Sequence, residues 1–497
     1  MADDLTDDSD ASAARSPFRR GRSKRLRFPA LAALSVICLC LGACAALPVQ
    51  QGREQVGEQL AQRQGSAVSQ LPGQERLDEA LHARLREPLT PDAAVSIAWA
   101  NSPRVRRALA ELDIAAADVF DSRQVRMPSL SWEAIEGGAR SLGLGVALGD
   151  LIRLPARKRA GQALWRSAVT GTAALLLEEA TAVREDYYRY QAAMQVADMR
   201  AAAAEAADLS AELARRFHAA GNIDALQLAR EEAAASQAQD VLARARIARL
   251  ETRMALAERL GLAGRTNRWQ LPDRLRLPPD DAFDTTQLLA RAGDERLDLQ
   301  SARLTAEARG MSARSAQRLL GIDAAGLELE RGRDGAARTN SAKLELDLPL
   351  FGQSRGGVVR ARARQDLAEL EVERIELDIE RAVRGGVARL DGLREVIALH
   401  RDGLIPQREA IVARQQERYN YMLIGVFELL QAKQQEYDAY QGYLEAIRDY
   451  WLAHARLMQA VGGRLPEGAA AREAAPSIED LLHDPDVGGY HHHGDAS

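Results

Sequence analysis

The chain has 497 residues, 46% of them hydrophobic but only 4% aromatic, with 28% charged and a formal net charge of −5. That balance excludes a polybasic nucleic-acid binder. Long segments rich in Ala, Arg, Leu and Glu fit extended, laterally packed helices better than a thick globular core. A mean hydropathy of −0.29, with no internal run of about 18 apolar residues, argues against a transmembrane helix in the mature chain.

The one apolar run lies near the start, where Arg19, Arg20, Arg22, Lys24, Arg25 and Arg27 precede residues 28–44. A basic region, a short apolar stretch and small residues before a cut read as a secretory signal over residues 1–43. Leu41-Gly42-Ala43-Cys44 resembles the bacterial lipobox, which implies cleavage before Cys44 and a covalent lipid on it. Acyl chains contribute about 0.8 kcal/mol per buried CH2, so several on one cysteine anchor firmly. Ala45 follows, rather than the Asp of an inner-membrane retention signal, which favours outer-membrane sorting. The plainer alternative is an unlipidated signal with a chance cysteine. Cys38 and Cys40 fall in the leader, so the mature chain keeps Cys44 alone and has no intrachain disulfide or CxxC metal site. Residues 44–88 are Gln-, Gly- and Arg-rich with weak periodicity and read as a lipidated, extended tether.

From there the chain states one pattern twice, over 89–285 with its connector and over 286–463. Each copy is a helix, two strands, a very long helix, a turn and a returning helix. Thr90-Pro91-Asp92 opens the first helix, with Thr as N-cap and Pro at the first position. The period then changes from helical to two. Leu142, Leu144, Val146 and Leu148 alternate with Gly143, Gly145, Ala147 and Gly149, and Leu344, Leu346, Leu348 and Leu350 with Lys343, Glu345, Asp347 and Pro349. Strands are expected at 129–137, 141–152, 320–331 and 341–351. Apolar residues on one face and charged or tiny ones on the other match a transmembrane β-barrel strand; a soluble half-buried hairpin shows the same alternation. Four strands cannot close a barrel, and lipid does not tolerate open edges, so the barrel must be shared between subunits, and three copies give twelve strands. The second long helix, 353–420, spans about 100 Å at 1.5 Å per residue, with Pro406 interrupting it. After it, Leu423, Phe427, Leu430, Tyr437, Tyr440, Leu444, Ile447 and Trp451 form a heptad-like seam. The fold class is mainly α with a small β part.

These residues resemble the TolC-like outer-membrane efflux proteins, in their lipoprotein branch. The resemblance is carried by Asn101-Ser102-Pro103, Met127-Pro128-Ser129-Leu130, Leu348-Pro349-Leu350-Phe351-Gly352, Leu404-Ile405-Pro406-Gln407, Arg418-Tyr419-Asn420 and Leu429-Leu430-Gln431-Ala432, in that order. It implies a homotrimer with a twelve-stranded barrel in outer-membrane lipid, continuous with an α-helical barrel crossing the periplasm. It also implies a passive exit duct for an inner-membrane pump of the resistance–nodulation–division type, joined through a periplasmic adaptor. The first repeat departs from the pattern, with Leu148-Gly149-Asp150 where the second has Leu-Pro-Leu-Phe-Gly.

No phosphate loop, GxSxG elbow or HExxH spacing occurs, so no enzyme and no cofactor beyond the lipid on Cys44 is expected. By resemblance, docking and gating fall at the periplasmic helix tips. The candidates for adaptor contact are Arg216, Phe217, Gly221, Asn222, Arg418, Tyr419, Met422 and Gly425. Asp224 and Glu428, repeated around a trimer, are candidates for acidic rings at the gate; the plainer reading makes them helix N-terminal charges. His491, His492 and His493 lie in a Gly-, Ala- and Asp-rich tail, 464–497, which reads as disordered, and they are weak metal candidates. The rival classes are a periplasmic adaptor, which carries one helical hairpin between other domains, and a structural coiled-coil lipoprotein, which leaves the alternating strands unexplained.

Overall fold

The computed structural model describes residues 49–64, 85–125, 128–134, 139–264, 268–279, 282–318, 325–334, 337–345 and 355–465. The leader, Cys44, segment 346–351 and His491, His492 and His493 lie outside them. After helix α1 (Val49–Gln64) the two repeats follow in the same order. The first is α2 (Pro91–Asn101), α3 (Pro103–Arg123), β1 (Ser129–Ala134), β2 (Arg140–Ala147), α4 (Leu148–Ala219) and α5 (Ala225–Arg259). The second is α6 (Thr285–Glu295), α7 (Leu297–Arg318), β3 (Gly326–Asp334), β4 (Ala337–Glu345), α8 (Arg355–Leu399), a π-helical turn (His400–Leu404), α9 (Ile405–Asn420) and α10 (Val426–Ala460).

Local chemistry explains most boundaries. Thr90 caps α2 by accepting from Ala93 N at 3.2 Å. Ser102 ends α2 in an extended conformation and caps α3, whose Pro103 needs no N–H partner there; the single helix expected here is therefore two. In the second long helix, the N–H of Ile405 bonds back to His400 O, widening one turn. Pro406 then falls in the first turn of α9, where its missing donor is harmless. The widened turn seats the His400 ring against Gly442, where a Cβ would lie 2.8 Å from the ring.

Three expectations need correction. Part of the extended tether is helical: α1 buries Val56 and Leu60 completely, each burial contributing about 1.5–3 kcal/mol. Gly52 lets the Trp165 ring approach to 2.5 Å of where a Cβ would stand, and Arg53 pairs with Asp113 at 2.6 Å. Sparse apolar residues among glutamines hid that stripe. The second strand ends at Ala147, and 148–152 belong to α4, with Pro155 inside the helix. Arg157 donates to Ser122 O at 3.0 Å and pairs with Asp150 at 3.5 Å, fixing the start of α4 against the end of α3. In the second hairpin the strands run from Gly326 to Asp334 and from Ala337 to Glu345, so the third passes its expected end at 331 and the fourth starts four residues before 341.

Helix α4, 72 residues and so about 110 Å long, runs through both cores. One core gathers Trp99, Leu112, Leu176 and Tyr187 with Trp269; the other gathers Leu390, Ile447, Tyr450 and Leu457 with Met199. Trp99 Nε1 donates to Leu176 O at 3.0 Å and Tyr187 Oη to Leu89 O at 2.9 Å, so these two large side chains bury no unmet donor. The connector between repeats is clamped on α4. Gln191 Nε2 donates to Pro272 O and Arg274 O at 2.9 and 2.8 Å, and Gln195 Oε1 accepts from Leu275 N at 3.0 Å. Arg456 and Arg189 both reach Glu185, and their hydrogen bonds outweigh the burial that would raise its carboxyl, holding it below the usual range.

The repeats close alike. Gly261 after α5 and Gly462 after α10 have φ of +70° and +82°. A Cβ at Gly261 would lie 2.6 Å from Asn101 O, and one at Gly462 would lie 2.7 Å from the Glu295 carbonyl carbon. Each returning helix therefore ends against the end of its repeat's first helix. Substituting Ala at either position is expected to cost about 2–4 kcal/mol, from left-handed strain plus displaced backbone. Gly264→Ala, with φ +73° and nothing within 4 Å, costs only about 1 kcal/mol. Urea midpoints of the three variants check this. His454 packs on Trp451 and Tyr450 with ring centroids at 5.2 and 6.2 Å. Burial, then Arg184 and Arg394, push its pKa from 6.5 down to about 4. The folded state thus prefers neutral imidazole, and its contribution is intact above pH 6.5 and lost as pH falls toward 4. Acidification through that window is expected to cost about 2–3 kcal/mol more in the wild type than in His454→Gln, by the same denaturation assay.

Candidate functional site: the sheet and the helix tips

At one end of the helices, β1, β2, β3 and β4 form a four-stranded antiparallel sheet in chain order. Pairing of β2 with β3, from Arg140↔Arg333 to Ala147↔Gly326, joins the two repeats. Alternation gives the sheet two unlike faces. One carries Leu130, Trp132, Leu142, Leu144, Leu329 and Leu344, each 44–72% exposed. The other carries Glu133, Glu328, Glu330, Lys343 and Glu345, with serines and glycines between them. Gly143 and Gly145 stand opposite Ser131 and Ser129, whose hydroxyls lie 2.3 and 2.4 Å from where a Cβ would be, so a larger residue there would make those serines turn away. In a single chain, β1 and β4 each leave one edge without a partner strand among the described residues.

At the other end, each pair of long helices is joined by a tight turn, and the two turns share one hydrogen-bond pattern. In the first, Ala220, Gly221 and Asn222 N donate to Arg216, His218 and Phe217 O at 3.1, 2.9 and 2.8 Å. In the second, Tyr421, Met422 and Leu423 N donate to Glu417, Tyr419 and Arg418 O at 3.1, 2.8 and 2.9 Å. Phe217 thus matches Arg418, and Gly221 matches Met422. Gly425 is the N-cap of α10, in the place where Asp224 caps α5 by accepting from Gln227 N at 2.7 Å. Gly221 has φ +75° and Met422 has φ +58°, the only non-glycine with positive φ among the described residues.

Most tip candidates are surface residues. Met422 is 93% exposed and stands between Tyr421 and Leu423, exposed by 77% and 68%. Tyr421 was not singled out from the sequence and Leu423 only as the head of the seam; their signal was their place beside the turn. The seam expected along α10 is buried from Tyr437 to Trp451 but opens toward the tip, with Phe427 and Leu430 half-buried and Leu423 exposed. Arg216 is held by Glu212, and His218 Nδ1 lies 3.1 Å from Ile223 O, bracing the first turn. Asn222 contributes its backbone N–H to that turn, while Asn420, next to Tyr419, accepts from Gln416 Nε2 at 3.0 Å. Glu428 lies in the first turn of α10 and folds toward Gly425, leaving its Oε2 2.9 Å from where a Cβ would be. It also lines a groove of about 510 Å³ between the two helical hairpins, with Gln227, Arg230, Glu231, Phe427 and Lys433. Asp224 and Glu428 are both exposed helix-start residues and stand on different hairpins.

No family model matches the sequence. No curated protein matches it either. Solved structures do. A membrane protein from Pseudomonas aeruginosa superposes with a TM-score of 0.64 at 19% identity, over 75% of this chain and 93% of that one. CusC, described with transmembrane channel formation, gives 0.62 at 16%, over 81% and 96%. The CmeC outer membrane channel of Campylobacter jejuni gives 0.61 at 16%, over 75% and 85%. This is the TolC-like outer-membrane channel fold. Within that fold the duplicated hairpins, the shared sheet and the two turns are all placed by residues this chain supplies. No described helix is long and apolar enough to cross a membrane.

The positive φ at Met422 gives a direct test of the turn. Left-handed strain of about 1–2 kcal/mol is partly offset by the entropy a glycine loses on folding, so Met422→Gly is expected to stabilise the tip by about 0.5–1 kcal/mol. Gly221→Ala is expected to destabilise its turn by about 1 kcal/mol. Amide exchange at 220–223 and 421–424 reads both.

Proposed function

We propose that this chain is the outer-membrane exit duct of a tripartite exporter. Three copies pair β4 of one with β1 of the next, closing a twelve-stranded barrel in lipid, and the hairpins continue it as a helical tube through the periplasm. The carrying observation is the sheet, apolar and exposed on one face, acidic on the other, with both edges unpaired among the described residues. Unsatisfied edges are costly in lipid, where each unpaired backbone group costs several kcal/mol, and closure between copies removes them. The acidic face then lines the passage and favours cations.

Cys44, lipidated, adds a second hold on the membrane. The tips, with Arg216, Phe217, Gly221 and Asn222 on one turn and Arg418, Tyr419 and Met422 on the other, are the surface offered to a periplasmic adaptor. An inner-membrane pump supplies energy and chooses the cargo, and the duct itself carries out no catalysis. Asp224 and Glu428, at the starts of α5 and α10, are the acidic groups assigned to the gate. Two helical hairpins per chain, in place of the one hairpin of an adaptor, favour this reading over its rivals.

Purified protein in planar bilayers is expected to form heat-resistant trimers and to conduct, preferring cations. Glu328→Gln with Glu330→Gln is expected to move the reversal potential toward zero without abolishing trimers. Heat-labile monomers with no conductance sink the proposal. Cargo class is read by growth of a deletion strain on copper, zinc, cobalt and silver salts beside lipophilic drugs. Metal sensitivity rescued only by a gene keeping His491, His492 and His493 gives the tail a metal role.

A further inference from the structure

The sheet carries a charge pattern that closing a duct does not require. Arg140 stands opposite Arg333, and Arg333 opposite Arg338, so three arginines form one row across β2, β3 and β4. Arg331 lies two residues nearer the helices, opposite Leu142 and Asn340. All four are exposed, and alternation puts them on the leucine face, away from Glu328 and Glu330. Like charges directly opposite on a sheet are unfavourable, so closing a barrel gives no reason to align them.

Successive rows on that face lie about 7 Å apart and change in order from the helices outward. The first row is Val146, Leu327 and Leu344, and the second is Leu130, Leu144, Leu329 and Ala342. The third mixes Trp132 and Leu142 with Arg331 and Asn340, and the fourth holds Arg140, Arg333 and Arg338. An apolar band, then a tryptophan, then cations is the sequence of environments met on leaving hydrocarbon for lipid headgroups. Guanidinium forks match phosphate oxygens in pairs, and a phosphate between neighbouring arginines removes their repulsion.

We propose that Arg140, Arg331, Arg333 and Arg338 form a docking belt for phosphate-bearing lipid headgroups in the leaflet at the hairpin end of the sheet. This rests on the sheet being a barrel wall. Repeated in each copy, the belt sets how deeply the barrel sits and holds a ring of anionic lipid around its rim.

The test uses the full chain, wild type and R140Q/R331Q/R333Q/R338Q, in phosphatidylcholine vesicles with and without lipid A, whose headgroup carries phosphomonoesters. Lipid retained by the extracted protein is measured by mass spectrometry. Each basic group at an anionic surface is worth about fivefold in partition, so the variant is expected to retain at least about tenfold less lipid A. Heat-resistant trimers and conductance stay as in the wild type. Equal retention by intact trimers overturns the belt and leaves the duct reading standing. Failure of the wild type to enter phosphatidylcholine vesicles overturns the duct reading and the belt with it. Release of the lipid A by millimolar inorganic phosphate marks a free-anion site and overturns the lipid assignment. If the quadruple variant does not assemble, R140Q/R338Q is read the same way.

Discussion

The ladder between β2 and β3 makes one molecule of the two repeats. Each repeat supplies a hairpin, and a lone hairpin is at best marginally stable. Pairing Arg140–Ala147 with Gly326–Asp334 gives a sheet with one apolar and one acidic face. With the β3–β4 pairing, the same ladder brings the start of α4 and the end of β4 to one end of the sheet. Its outer edges have no partner strand among the described residues, and that open backbone is the physical reason the proposed function needs further copies of the chain.

Helix α4 is the second constraint. It contributes to both cores, clamps the connector through Gln191 and Gln195, and accepts Arg259 on Asp186 and Arg456 on Glu185. Those ion pairs are partly buried and hydrogen-bonded, so removing one partner strands the other. The interdigitated aromatics Tyr188, Trp451 and Tyr450 then tie α10 to α4. Toward the tips the packing thins to alanines and exposed charges, and the groove beside Glu428 opens between the hairpins. Stability is therefore concentrated in the middle of the molecule, where the two cores meet, and is lowest at the turns.

The two tip turns share a hydrogen-bond pattern but differ in the residue at the left-handed position. One tip turn uses glycine for its left-handed residue, and the other forces Met422 into the same conformation. A strained, almost fully exposed apolar side chain contributes nothing to the fold, which is consistent with its proposed place in a partner surface.

Much of this was legible in the residues. Period-two alternation around Gly143 and Leu344, the duplication and the break at Pro406 all reflect local sterics and hydrogen bonding, which act within a few residues and so leave a local trace. Helix α1 was not legible, because Val56 and Leu60 become a buried stripe only against α3 and α4. The end of β2 at Ala147 was not either, since Leu148 and Ile152 suit a strand as well as a helix until Arg157 reaches Ser122 and Asp150. The match of Gly221 to Met422 appeared only in the turn's hydrogen bonds, because no residue type announces a left-handed methionine. The sequence by itself determined the kinds of element, their order and the chemistry of each strand face. Only the tertiary structure decided which strand pairs with which, where the arginines align and what α1 covers, because those depend on contacts between residues up to about four hundred positions apart, which no local period encodes.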